Sequence, residues 1–469
     1  MHKFAQFIKI TILVLIFLVL IVIPVNANSA QVYWEGSDAS GIIIIDEASP
    51  IIVEHEDLTF KLSSLLNPYD QSREDLLAYD GQVIARYTMY NPATYQVKAH
   101  LLFPFGTRAE YGRLGYDSPD HYINNNYGVK VNDQPIPTTI RHSYILNSSQ
   151  FVLDKDLAML HDDYMADSFY HPELKVTAYK YIAKNVDLTK YNAATAAFSI
   201  SNLLPQTKIL MENLNGGALS DDTVRLDCWV DEEPFMVYII GEPLPTMPTW
   251  YFYENGACEK EIPGTMELLA VEEMTLKDLC LSHYDKQYQV LEHDWYNAII
   301  QSMKHHPYGN VAIEATSFTF DIYEHLMPWY EYEITLASKE RITNTVNAPI
   351  YPSIDLSYDP GVYEYTYLLS PAKTWQQFGD ITIKIETPFQ LVAANLKAFK
   401  QVEDGYMLEL ASLPDSELIF SLSLADKAQA IYAANNFLPY IILAISLISI
   451  LILLLILMRR KRSNNNSNH

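Results

Sequence analysis

Cysteine is nearly missing: Cys228, Cys258 and Cys280 are the only three in 469 residues. So low and odd a count excludes a disulfide scaffold, and no spacing among them suits a metal. Mostly unpaired thiols are expected. Glycine is scarce as well, at 16 residues against 34 tyrosines and 18 phenylalanines. That balance excludes a low-complexity stalk and implies a chain with a real core. No Gly-x-Ser-x-Gly, His-Glu-x-x-His, phosphate-loop or dinucleotide fingerprint occurs. The expectation is a protein with no catalytic residue, no metal ligand set and no cofactor, and a non-enzymatic one.

Long uncharged apolar runs occur only near the two ends. Lys3 and Lys9 precede the run Ile10 to Ile23, and Pro24 and Val25-Asn26-Ala27 follow it. A basic start, a short apolar stretch and a small-x-small exit predict a secretory signal over 1–27. An uncleaved anchor is the alternative, with the same orientation. Phe437 to Met458 carries no charge, and roughly 20 apolar residues suffice to cross a bilayer core as a helix. Arg459-Arg460-Lys461-Arg462 follows directly, which places the tail 459–469 inside. A wall-sorting signal would need Leu-Pro-x-Thr-Gly, whereas Leu438-Pro439 runs on into Tyr440-Ile441-Ile442. The expected topology is single-pass in the plasma membrane: N-terminal ectodomain outside, helix 437–458 in the lipid bilayer, C-terminus cytoplasmic.

Residues 28–436 hold all 57 acids. With Lys3, Lys9 and the four basic residues of the tail set aside, 26 bases oppose them, a net charge of −31. This disfavours nucleic acid and anionic membrane surfaces as partners. Simple solubility explains it as well as a basic partner does.

Period-2 alternation is the recurring local signal. Val83, Ala85, Tyr87 and Met89 alternate with Ile84, Arg86, Thr88 and Tyr90, and Val97, Ala99, Leu101 and Phe103 alternate with Gln96, Lys98 and His100. The Asn91-Pro92 turn between them predicts an antiparallel hairpin. Val129–Val131 before Asn132-Asp133, Leu174–Tyr179 and Val224–Cys228 repeat the pattern. Phe235 to Ile240 is continuously apolar and suits a strand covered on both faces. Asn255-Gly256 predicts a hairpin between 250–253 and 257–262. Further strands are expected at 329–336, 362–369, 381–385, 406–410 and 418–422. Thr275 with Asp278 forms a capping box ahead of Leu276, Leu279, Cys280 and His283, one helical face. Asp294 is expected to cap a second helix that ends at Lys304-His305-His306-Pro307.

The predicted fold is a mainly β ectodomain, antiparallel and sandwich-like, with a short helical segment in the middle and one C-terminal transmembrane helix. The predicted division is a β-rich part at 28–272, helices at 273–310 and a second β-rich part at 311–430, although one large β assembly also fits.

Several constellations invite a chemical reading. His161-Asp162-Asp163 with Asp167 and His171 is the densest set of potential ligands, but it matches no ligand spacing and equally describes a solvated acidic loop. His305-His306 is explained by a helix C-terminus. Asp355 to Gly361 has too few carboxylates for a calcium loop. Cys280 and His283 share an apolar helix face, where core packing explains both. Glu232-Glu233 and Glu272-Glu273 would supply a hydrolase with paired carboxylates, yet 57 acids make such pairs common.

Tyr363 to Leu369, then Ser370-Pro371-Ala372-Lys373-Thr374-Trp375, then Phe378 to Ile385 resembles the strand, Ser-Pro-Ala-x-x-Trp, strand pattern of exported bacterial surface proteins in the family of unknown function numbered 4424. Val83 to Phe103, ending in Phe103-Pro104, is similar to their early strand pair. The resemblance covers about a third of the chain and implies an exported β-rich protein of Gram-positive type, with no activity to carry over. The expected function is a cell-surface protein binding another protein or a wall glycan. An accessory subunit of a membrane complex and a carboxylate hydrolase are the alternatives.

Overall fold

In a computed structural model of the chain, the described residues are 32–34, 36, 39–45, 49–66, 81–105, 127–145, 152–201, 206–220, 223–244, 248–286, 289–305, 322–323 and 325–430. They form a mainly β protein of two stacked systems of sheets, with three short α-helices confined to the middle of the chain. The expected fold class needs correction at its C-terminal end. Among the described residues no helix is long and apolar enough to cross a membrane. Residues 437–458 lie outside the described residues, as do the expected signal at 1–27 and the tail at 459–469.

The larger system is built on an eight-stranded sheet. Its order runs from Lys400–Val402 through Gly405–Leu410, Phe378–Glu386, Ile52–Lys61, Gln82–Tyr90, Arg341–Pro349 and Gly128–Val131 to Gln134–Pro135. Two smaller sheets cover its apolar face, one centred on Val362–Leu368 and Leu418–Ser423, the other on Val97–Pro104 and Leu326–Leu336. One hydrophobic cluster fills the space between. In it Phe60 meets Phe420 and Tyr367 edge-on, at ring-centroid distances of 5.1 and 5.7 Å. Truncating so buried a phenylalanine to alanine costs about 3–5 kcal/mol.

The alternating runs at 83–89 and 97–103 do form strands, but not the expected hairpin. Gln82–Tyr90 pairs with Ile52–Lys61 and Arg341–Pro349, whereas Val97–Pro104 pairs with Leu326–Leu336 in another sheet. Their buried residues face one another across the core instead of sharing a ladder. Leu326–Leu336 and Arg341–Pro349 cross between the same two sheets beside them. Buried Asn91 joins the two crossings. Its Nδ2 donates to the carbonyls of Tyr95 (2.9 Å), Leu336 (3.2 Å) and Ala337 (2.9 Å), and its Oδ1 accepts from the Ala93 amide. Asn132 and Asp133 do make a tight hairpin turn, both with positive φ (48° and 63°).

Between Tyr144 and Leu326 the chain leaves this system and builds a second one. An inner sheet has the order Thr207–Met211, Phe235–Gly241, Lys175–Lys184, Thr265–Thr275; an outer sheet has the order Leu214–Ser220, Thr223–Trp229, Thr195–Ser201, Tyr251–Tyr253. The inner sheet is covered on both sides. Phe235, Val237 and Ile239 face the outer sheet, while Tyr238 and Ile240 face the helices Leu276–Ser282 and Glu292–His305. This explains the unbroken apolar run at 235–240. Strands from either side of this insertion, 52–144 and 326–430, share the larger system, so its two flanks are interleaved and not consecutive units.

Candidate functional site

Two of the three aspartates in the acidic loop at 161–171 pair with protein cations. Arg141, on the Thr139–Tyr144 strand, is buried and reaches into it. Its Nε donates to Asp294 Oδ2 at 3.2 Å, and its Nη2 donates to Asp294 Oδ1 (3.2 Å) and to the His161 carbonyl (2.7 Å). Nη1 donates to Asp162 (3.2 Å) and Glu331 (2.9 Å). Glu331 also pairs with His100 at 2.7 Å. The guanidinium is buried, but Asp294 and Glu331 more than compensate and hold its pKa up. Asp167 pairs with Lys304 at 2.9 Å and accepts from the Phe169 and Tyr170 amides. Among the described residues no group of three or more His, Cys, Asp or Glu could hold a metal. His171 contributes only a turn, its carbonyl accepting from the Leu174 amide. Asp294, expected as a helix cap, lies inside the first turn of Glu292–His305 and serves Arg141 instead.

The other candidates resolve structurally. Thr275 and Asp278 form the reciprocal capping box. Cys280 is fully buried with its thiol pKa pushed up, its carbonyl accepting from Trp295 Nε1 at 3.0 Å; burial pushes the His283 pKa down. His305 ends its helix with Nδ1 on the Gln301 carbonyl, and His306 lies outside the described residues. Asp355 accepts from the Ser357 amide and hydroxyl in a local turn. Trp375 of the Ser-Pro-Ala-x-x-Trp segment donates to the Ile42 carbonyl, a packing contact. Glu232 and Glu233 sit on an exposed turn, and Glu272 and Glu273 are neighbours on one strand. Neighbours on a strand point to opposite faces, so that pair cannot share a substrate. All three cysteines are free.

One carboxylate is buried deep in the larger core. Glu56 accepts from the Tyr367 hydroxyl at 3.4 Å, and that hydroxyl lies 3.4 Å from Tyr87 Oη. Burial pushes its pKa up to about 7, against the pull of the two hydroxyls. It faces other core side chains and has no open approach.

The open, chemically equipped surface is the outside of the outer sheet. On Thr195–Ser201, Ala196, Phe198 and Ile200 point into the core, so Thr195, Ala197 and Ser199 point out. Trp229 and Tyr253 stand on either side of Thr195; Asp227 and Tyr251 stand on either side of Ala197. Trp229 is 45% and Tyr251 50% exposed, while the small residues between them are buried. The result is a floor of small side chains with aromatic walls. Polar groups line it: Asn215 Nδ2 donates to Asp227 Oδ1 at 3.0 Å, and Arg225 reaches Asp227 at 3.6 Å. Burial raises the Asp227 pKa, with Arg225 and Asn215 opposing. Asn215 is the extra residue of a bulge opposite Cys228 and Asp227, and the loop at Gly256 crowds it closely enough that a Cβ there would meet Nδ2 at 2.6 Å. Asn255-Gly256 therefore belongs to a wider loop closed by a single Tyr253–Glu261 bridge, not the tight hairpin expected.

Sequence reasoning placed Trp250–Tyr253 and Val224–Cys228 in strands but did not bring Trp229, Tyr251, Asp227 and Asn215 together. The signal available was outward phase: Arg225, Asp227 and Trp229 alternate with the buried Val224, Leu226 and Cys228.

Neither a family model nor a curated protein matches the chain. One solved structure with an overlapping outline is a Legionella pneumophila protein provisionally described as nutrient binding. It is 10% identical, covering 84% of this chain and 73% of that one with a TM-score of 0.35. A likeness at that level carries no argument here.

Proposed function

We propose that the protein is an exported, non-enzymatic binding protein that takes a glycan chain on the outer sheet of its inserted sandwich. The observation that carries this reading is the pairing of Trp229 and Tyr251, half-exposed and large, around the buried floor of Thr195 and Ala197. Exposed aromatics on one ordered face mark an interaction surface, and their rings offer flat apolar contact to the C–H faces of a pyranose. Trp229 and Tyr253 are two strand spacings apart, roughly 9.5 Å, the scale of a disaccharide. Asp227, Asn215 and Arg225 then supply an acceptor, an amide and a fixed donor fork for sugar hydroxyls. A folded strand ladder holds these groups without ordering a loop, which lowers the entropic cost of binding.

Export is supported by the apolar leader at Ile10–Ile23 and its Ala27 exit. Protease treatment of intact cells tests it: digestion of the acidic body supports the reading, and full protection overturns it. For the site, titration calorimetry of the intact chain with solubilised wall glycan is the direct measurement. Each stacked ring contributes about 0.5–1.5 kcal/mol beyond its area. Trp229→Ala together with Tyr251→Ala should therefore weaken binding by at least tenfold. Unchanged affinity in that double variant, or no binding by the wild type, would end the proposal.

A further inference from the structure

A second surface of the insertion, on a different sheet, stands independently of the glycan reading. Thr265–Thr275 is an eleven-residue strand at the edge of the inner sheet, paired along its length with Lys175–Lys184 and, among the described residues, with no other strand. Natural edge strands are usually short, or blunted by charges, proline or a bulge. This one is long and has no lysine or proline; its charges are three glutamates and its one irregularity is a bulge. Leu268, Leu269 and Val271 are 44%, 45% and 53% exposed.

A bulge sorts its side chains. Lys180 lies opposite Ala270 and Tyr181 opposite Leu268, which leaves Leu269 as the extra residue. Alternation resumes one residue out of phase beyond it. Glu267 opposite Ile182 and Glu272 opposite Ala178 therefore share one face with Ala270; Leu268 opposite Tyr181 and Val271 opposite Tyr179 share the other. Without the bulge, residues 267 and 272 would point to opposite faces. Glu273 is tied to Lys175 at 2.5 Å. Glu267 and Glu272 have no salt-bridge partner among the described residues, and Lys180 on the same face pairs with neither.

The geometry points to a docking edge for an extended segment of a partner protein in which basic and apolar residues alternate. Such a segment adds a fifth strand to the inner sheet. Its main chain takes the ladder groups of residues 265–275 that pair with no other strand among the described residues, its basic side chains lie along Glu267 and Glu272, and its apolar ones lie along Leu268 and Val271. A second copy of this chain fits worse. Antiparallel self-pairing that keeps the faces matched across the bulge would set Glu267 against Glu272 twice, and like charges directly opposite are destabilising.

The test uses the full chain and three fluorescent eleven-residue probes: alternating Val–Lys, alternating Val–Glu, and a Val–Lys composition with the lysines in one block. Saturable anisotropy is expected with the alternating Val–Lys peptide, with at least tenfold weaker affinity for the other two. Leu268→Lys with Val271→Lys, and separately Glu267→Lys with Glu272→Lys, should each weaken it at least tenfold. Trp229→Ala should leave it unchanged, which separates failure here from failure of the glycan site. Equal affinity for all probes, no saturable binding, or indifference to both double variants overturns the proposal. So does a wild-type dimer in sedimentation that Leu268→Lys with Val271→Lys converts to monomer, because the occupant would then be a second copy.

Discussion

The side-chain amide of Asn91 donates to the backbone carbonyl of Leu336 at 3.2 Å, joining two chain crossings 245 residues apart in sequence. Its two N–H groups, one shared between two of the three carbonyls, and its Oδ1 all bond backbone groups. Asn91→Ala strands those groups in a buried place, where each unsatisfied polar group costs about 1–3 kcal/mol. A loss of about 3 kcal/mol in denaturant unfolding is expected. Asn91→Asp should be worse, because a carboxylate cannot donate to carbonyls. A midpoint unchanged in both variants would show that the crossings hold without it.

Arg141 and Asp294 form the second long-range tie, between the larger system and the helix Glu292–His305. Removing one partner of a buried pair leaves the other charge uncompensated, at about 3–5 kcal/mol. Arg141→Met should cost that much, and Arg141→Met with Asp294→Leu should recover part of it. A double variant as unstable as the sum of the singles would argue against direct coupling.

Glu56 makes stability depend on pH. Its folded pKa of about 7 lies above the ordinary 4.5, so the folded state holds a proton that the unfolded chain releases first. Its contribution is fully present below pH 4.5 and lost as pH rises through 7. The shift corresponds to about 3 kcal/mol. Glu56→Gln, neutral at every pH, should match the wild type below pH 4.5 and exceed it at pH 8 in chemical denaturation. Parallel pH profiles for the two proteins would refute this.

The three thiols should separate by reactivity. Burial raises the pKa of all three thiols, but Cys228 and Cys280 are enclosed in cores whereas Cys258 is half-buried, with Arg225 opposing the rise. A thiol reagent should label Cys258 alone in the native protein, faster as pH rises, and all three after denaturation. Mass spectrometry showing native labelling of Cys280 would contradict the packing described.

The sequence shows most of the strands and hides most of their partners. Alternation at 83–89 and 97–103 reports one buried face each, and a face does not say whether its neighbour lies beside it or across the core. The Thr265–Thr275 strand was illegible for a different reason. Met266-Glu267-Leu268-Leu269-Ala270 consists of good helix formers, and the bulge at Leu269 breaks the period of two. The acidic loop at 161–171 was visible as a cluster, but its cation, Arg141, lies on a strand some twenty residues earlier and is bound through tertiary structure alone. Trp229 and Tyr251 were both in plain view; that they flank the same strand depends on a strand order no local pattern encodes.

The interleaving of the larger system also sets a timetable for biogenesis. The Ile52–Lys61 strand pairs in parallel with Phe378–Glu386, so its second neighbour emerges from the ribosome or the export channel more than three hundred residues later. The insertion, by contrast, draws both its sheets from one contiguous stretch and is complete while the N-terminal strands still wait. Closure of so distant a pairing is slow, and the waiting strands expose unpaired edges to aggregation. Nascent-chain protease protection should therefore appear first over 175–305, and only at the end of synthesis over 52–90.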